Sequence, residues 1–156
     1  HGGAGHCGAP LVGWPVSVGR PELCVGAVAV REGSLLMIRR GTEPGLGMWS
    51  LPGGRVEAAE SVVSAVLREL EEETDLEGLC GELIGWVERS GVDHHYVILN
   101  FRVTILGDAE PVAGDDAAEA RWVSLEEVSG IDLVEGMERF LIEHGVIADG
   151  PVLGVL

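Results

Sequence analysis

The apolar positions of this chain change period from one segment to the next, and those changes divide it into elements. Residues 23–31 (LCVGAVAVR) and 34–39 (SLLMIR) are near-continuous apolar runs of strand length parted by Glu32-Gly33, which predicts a β-hairpin. After the tight Gly53-Gly54 turn the period lengthens to that of a helix, with Ser61 placed to cap its start. On that helix Val63, Val66, Leu67, Leu70 and the stem of Thr74 form an apolar stripe. Glu69, Glu72 and Glu73 share a separate edge, with Ala65 and Leu76 beside them. Residues 79–88 and 96–106 return to strand patterning around the polar turn SGVDHH, and residues 120–123 give one more short strand. Met137, Phe140, Leu141 and His144 fall at helical spacing within residues 135–144 and predict a final helix, stopped by Gly145.

Strands flanking a central acidic helix, with a second helix at the end, predict an α/β sandwich built on a mixed sheet. The 156 residues suit one domain with a real core. Residues 1–22, rich in Gly and Pro, read as an irregular arm that is partly vector-derived, residues 23–147 as the domain, and residues 148–156 as a tail.

A formal net charge of −16 argues against nucleic-acid and anionic-membrane partners, because the summed field repels a phosphate backbone. A small anionic substrate meets the same field, so its site needs a cation and local arginines to reverse the sign. Cys7, Cys24 and Cys80 are odd in number and lack ligand spacing, which argues against a disulfide framework or zinc site and points to the cytoplasm. His1, His6 and Cys7 form no defined ligand constellation. No apolar run is long enough for a membrane span.

The three helix carboxylates carry the chemistry. At 4 Å each pair of like charges costs about 1 kcal/mol even in water, so a counter-charge is expected. A hard divalent cation, Mg2+ or Mn2+, suits an all-oxygen donor set and commonly bridges carboxylates to phosphates. Arg68, one turn before Glu72, is placed to orient a carboxylate. On charge pattern alone a solvated acidic face is the plainer reading.

Spacing changes that balance. Gly54, Glu60, Arg68-Glu69-Leu70, Glu72-Glu73 and an apolar Leu76 stand at the intervals of the Nudix box, and the preceding WSLPGG run is similar to Nudix proteins as well. The resemblance covers residues 23–144 and implies the Nudix α/β/α sandwich, with the acidic box helix at the active site. It also implies that Glu69, Glu72, Glu73 and the Gly53 carbonyl hold the metal, that Glu60 supports the site from behind, and that Arg68 orients a carboxylate. Two positions depart from the pattern: Asp75 stands where the family has a glycine, which implies a slightly strained helix exit, and Ala59 replaces another, with no evident consequence.

Arg39 and Arg40, ahead of the loop GTEPGLG, are phosphate contacts or a solvated strand end. Trp49 stacks on a base or ribose, or anchors the loop from the core; the second is preferred for so large an aromatic. His94 and His95 stand at the mouth of a strand as weak candidates. The HYVILNF and GDDAAEARWVSL segments most resemble the ADP-ribose pyrophosphatase-like branch, which makes Glu119, with Asp115 and Asp116 behind it, the candidate to complete the metal site or act as base; the alternative is a solvated acidic turn. The implied reaction is metal-dependent hydrolysis of a nucleoside diphosphate derivative, ADP-ribose first. The rivals are a MutT-like nucleoside triphosphate pyrophosphohydrolase and a non-catalytic nucleotide sensor. Partners are a small nucleotide and, as in many Nudix enzymes, a second copy of the chain as a homodimer.

Overall fold

In the computed structural model, which describes residues 19–114 and 116–150, the first apolar run does not form one arm of a hairpin. It divides at the buried Ala29 into β1 (Glu22–Val28) and β2 (Val30–Arg31), which belong to different sheets. Only β2 makes the hairpin with β3 (Ser34–Arg40), across the Glu32-Gly33 turn, where both residues have positive φ. A run of apolar residues records burial and does not record a change of sheet.

One sheet is mixed, with strand order β5-β1-β7-β6. Here β5 is Gly53–Arg55, β6 is Gly78–Ser90 and β7 is His95–Ile105. β1 runs parallel to β7, and the other neighbours are antiparallel. The second sheet is antiparallel: β3 pairs with β2, with β4 (Trp49–Ser50) and, along its whole length, with β8 (Ala117–Ser124).

Two helices cover two cores. The box helix α1 (Val62–Thr74) lays Ala65, Val66 and Leu70 on Val25 and Ala27 of β1 and Phe101 and Val103 of β7. The last helix, α2 (Met137–Glu143), packs Met137, Phe140 and Leu141 with Val28, Leu35, Met37, Trp49 and Val123. β3 serves both, since Leu36 joins the first core while Leu35 and Met37 join the second. A strand buried on both faces shows no apolar-polar alternation, which is why SLLMI reads as a solid run.

Local chemistry sets the ends of α1. The Ser61 side chain accepts the Ser64 N–H at 3.1 Å. Asp75 closes the helix in the left-handed region, φ 59°, with its N–H on the Glu71 carbonyl at 2.8 Å. Ala59 is also left-handed, at φ 64°. Both positions that depart from the family glycines therefore lie where glycine is the relaxed residue, and Ala59 has a consequence the sequence did not disclose.

The buried stripe of α1 is displaced from the expected one. Val66, Leu70 and Thr74 are buried as expected, but Val63 is 43% exposed and Leu67 half-buried, whereas Ala65 and Glu73 are buried. Thr74 satisfies its hydroxyl by donating to the Leu70 carbonyl at 2.6 Å. Just beyond α2, His144 stays exposed and its ring centre lies 4.4 Å from that of Phe140. His1, His6, Cys7, Asp115 and residues 151–156 of the tail lie outside the described residues. Among the described residues no helix is long and apolar enough to cross a membrane.

Candidate active site

The glycine turn and the box helix meet at two points. Gly53 donates its N–H to Glu73 Oε1 at 3.0 Å. Gly54 lies so close to Glu69 that a Cβ added there would be within 2.7 Å of the carboxylate atoms. A side chain at 54 would have to push the Glu69 carboxylate aside.

Glu73 is 7% exposed, although its place on the helix assigns it to a polar edge. Burial raises its pKa to about 8, against the lowering effect of the Gly53 N–H, and the neighbouring Glu69 raises it further. Burial also pushes Glu69 up, opposed by hydrogen bonding from Arg68. Each of the two carboxyl groups therefore perturbs the other. Two neighbouring acids withdrawn from solvent favour a bound proton, and a divalent cation competes with such a proton.

Arg68 ties the remaining carboxylates together. Its Nε and Nη2 donate to both oxygens of Glu60, at 2.7 and 2.9 Å. Nη1 donates to Glu69 at 2.9 Å and to Glu72 at 3.1 Å, and Nη2 also reaches the Arg55 carbonyl at 3.0 Å. The bidentate Arg68, with the Glu57 N–H, holds the Glu60 carboxyl down at about 2. Glu60 in turn leads the effects that raise the Arg68 pKa. The counter-charge expected on this helix edge is thus supplied in part from within the chain.

The oxygen donor set fits a hard divalent cation. Glu69 and Glu72, the latter 40% exposed, share the Arg68 Nη1 as donor. Among the described residues no three His, Cys, Asp or Glu side chains close on one point.

The other candidates fall in different places. Glu119 lies within β8, not in the loop before it, and its carboxylate meets Arg39 at 3.4 Å across the β3–β8 pair. That corrects the expected placement: the strand begins three residues earlier than its apolar core suggests, and cross-strand register gives Glu119 a cation. Asp116 accepts the Gly41 N–H on its backbone carbonyl at 2.8 Å, in a loop that Gly114 anchors to the Glu73 carbonyl at 3.3 Å. Arg40 hydrogen-bonds Pro44 in the loop and is near enough to lower the pKa of Glu73.

Trp49 is 7% exposed, in the second core, with the Arg121 guanidinium 4.7 Å from its ring centre. Of its two readings, core anchor and stacking platform, the structure supports the anchor. The ring has no free face for a base. His94 pairs with Asp93 at 2.9 Å and stacks on Tyr96. Both histidines border a polar hollow of about 190 Å³ with Arg20, Arg55 and Tyr96.

One residue escaped the sequence reading. Arg89 follows the expected strand end, yet β6 continues through Ser90, and the Arg89 Nε is buried without a hydrogen-bond partner. Its burial follows from sheet register, which places Gly85, Val87 and Arg89 on the covered face and Trp86 and Glu88 on the exposed one, and no neighbouring residue in the sequence signals it.

Comparison with known proteins agrees with this geometry. Residues 20–143 match the family described as NUDIX domain. An ADP-ribose pyrophosphatase of Methanocaldococcus jannaschii is 34% identical over 110 residues, which cover 69% of this chain and 64% of that protein. A Mycobacterium tuberculosis protein provisionally named 8-oxo-dGTP diphosphatase 2 is 33% identical over 132 residues, 82% of this chain and 86% of its own. The crystal structure of a MutT protein from Methanosarcina mazei superposes with a TM-score of 0.71 at 28% identity, covering 81% of this chain and 95% of that one. With the match running from before β1 to the end of α2, this chain belongs to the Nudix hydrolase family.

Proposed function

We propose that this protein hydrolyses the pyrophosphate bond of a nucleoside diphosphate linked to another moiety, with Mg2+ or Mn2+, and that ADP-ribose is cleaved to AMP and ribose 5-phosphate. The observation that carries this reading is the buried Glu73 and half-buried Glu69 beneath Gly53-Gly54, backed by the Arg68 network. The similarity to the archaeal ADP-ribose pyrophosphatase supports the choice of substrate.

Glu69, Glu72 and Glu73, with the Gly53 carbonyl, would hold the cation, which when bound neutralises the charge of the diphosphate and makes water a better nucleophile. The Gly53 N–H fixes Glu73, and because the pKa of Glu73 is raised, a cation held there would compete with a proton on its carboxyl. Arg68 aims Glu69 and Glu72, and Glu60 aims Arg68. Arg40, beside Glu73, meets phosphate oxygens. In the overall step the oxygen of water bonds to one phosphorus and the bridging oxygen leaves on the other phosphate.

A second reading, a MutT-like enzyme that converts a nucleoside triphosphate to monophosphate and pyrophosphate, draws on the mycobacterial relative, whose alignment covers more of both chains. The deciding experiment incubates the protein and Mg2+ with ADP-ribose, other nucleoside diphosphate sugars and the (d)NTPs, with an EDTA control. AMP and ribose 5-phosphate as the dominant metal-dependent products support the first reading. Monophosphate with pyrophosphate transfers it to the second, and no turnover of any compound favours a non-catalytic nucleotide sensor.

A further inference from the structure

The last turn of α1, which carries Glu72 and Glu73, is poorly held by its own residues. A helix end leaves its last carbonyls without an intrahelical donor and is the negative pole of the helix dipole. Here that pole bears Glu71, Glu72, Glu73 and Asp75, with no basic residue in the turn to offset them. The Asp75 N–H takes the carbonyl of Glu71, which leaves those of Glu72, Glu73 and Thr74.

The connection from β7 to β8 closes over that turn. The Val112 N–H donates to the Thr74 carbonyl at 2.8 Å, and the Gly114 N–H donates to the Glu73 carbonyl at 3.3 Å. The Glu72 carbonyl faces Gly114 directly: a Cβ added there would be 2.4 Å from that oxygen. Gly114 is not one of the positive-φ glycines, so the obstacle to a side chain at 114 is the main chain of α1. The nearby Asp116 carbonyl accepts the Gly41 N–H at 2.8 Å, so the same connection also holds the loop that follows Arg40.

Glu73 is thus gripped at both ends by glycine amides from different loops, its carbonyl by Gly114 and its carboxyl by Gly53. Glu72 is placed in the same manner, with Gly114 against its carbonyl and Arg68 on its carboxylate. Helix ends fray when their carbonyls return to water, and fraying at this end carries both carboxylates off their aim.

We propose that the Val112–Gly114 strap is a positioning element of the metal site, with Gly114 its positioning residue: by fixing the last turn of α1 it aims Glu72 and Glu73 at a divalent cation. The strap acts through the helix backbone and not by contact with substrate or cation. The coupling is reciprocal, so a bound cation, which offsets the charge on the turn, also tightens the strap. This role rests on the metal-dependent reading above for the assignment of Glu72 and Glu73 as ligands.

The test compares wild type, Gly114→Ala and a control, Val112→Ala, which trims an exposed side chain and keeps the amide. Each is followed by calorimetric titration with Mn2+, thermal melting and amide hydrogen exchange. Gly114→Ala is expected to bind Mn2+ about tenfold more weakly and to need about tenfold more metal for half-maximal hydrolysis of ADP-ribose, with kcat largely restored at saturating metal. Val112→Ala should match wild type in both. In wild type, Mn2+ should slow exchange at the Val112 and Gly114 amides. A Gly114→Ala protein that melts lower yet binds Mn2+ like wild type overturns the proposal, since that is the behaviour of a plain helix cap. So does wild-type exchange at Val112 and Gly114 that ignores Mn2+, a measurement that decides the matter even where Gly114→Ala fails to fold. The pyrophosphohydrolase reading fails separately: wild type would then show the Mn2+ response at the strap and hydrolyse no nucleotide.

Discussion

The Gly53 amide donates to Glu73 Oε1 at 3.0 Å across 20 residues of sequence, joining the glycine turn to a carboxyl that is otherwise sealed from water. The bond favours the charged form, and burial outweighs it, leaving the Glu73 pKa at about 8 against 4.5 for a free side chain. A pKa raised on folding gives stability that is complete below about pH 4.5 and lost as the pH climbs to about 8. In EDTA the melting temperature should fall across that window, at up to about 1.4 kcal/mol per unit of raised pKa. Glu73→Gln should flatten the fall and melt above wild type at pH 8, while losing about a hundredfold or more in turnover with Mg2+. Parallel pH profiles for the two proteins would remove Glu73 as the cause.

Arg68 is the second hinge of the site's electrostatics. Arg68→Ala leaves Glu60, Glu69 and Glu72 without their shared donor and should cost about 2 kcal/mol, below the value for a fully buried pair because part of the network meets solvent. Arg68→Lys cannot reproduce the two-pronged grip on Glu60 and should recover less than half of the loss. Urea midpoints at constant slope measure both.

The two box glycines should fail in different ways. A Cβ at Gly53 would come 2.1 Å from the Val25 carbonyl, so Gly53→Ala must move backbone and should unfold the protein at markedly lower temperature. At Gly54 the obstacle is the Glu69 carboxylate, the mobile end of a side chain. Gly54→Ala should therefore stay folded and lose about tenfold or more in activity, with a raised Mg2+ requirement. Circular dichroism melts alongside Mg2+-titrated rates distinguish the two, and equal loss of fold in both would contradict the assignment.

Relaxing the left-handed residues should stabilise the chain. Asp75→Gly and Ala59→Gly each remove a side chain from a positive-φ position, at 59° and 64°, and each should gain about 0.5–1 kcal/mol net of glycine's added freedom when unfolded. The effects should add, because the two residues bracket opposite ends of α1. Denaturant unfolding of the single and double variants checks this; destabilisation by either would show that its side chain contributes more than its backbone costs.

Legibility in the sequence followed the kind of force involved. Local signals were readable: the Ser61 cap, the helical period, the Glu32-Gly33 turn and the end of α2 all depend on neighbours within a few residues. Long-range facts were not. Nothing near Glu73 in the chain says that β5 will close over it, and the pattern assigned its burial to Val63 instead. Glu119 looked free because its partner Arg39 is a register choice between strands 80 residues apart. Arg89 looked like a polar strand end for the same reason, and the passage of residues 23–31 from one sheet to the other at Ala29 left no compositional trace.

β3, shared by the two cores, limits how the molecule can move. Its side chains Leu35, Leu36, Met37 and Ile38 are wedged alternately into both halves, and Arg39 and Arg40 continue directly from them. A clam-like motion of one half against the other would have to pull this wedge out, so Arg40 stays at a fixed reach from Glu73. The following loop lies outside that wedge: Gly45 and Gly47 take φ of 78° and 82° and Leu46 is exposed. Sequence changes at 41–47 should therefore alter substrate entry and release before they alter the chemistry, a difference that pre-steady-state rates of the variants would reveal.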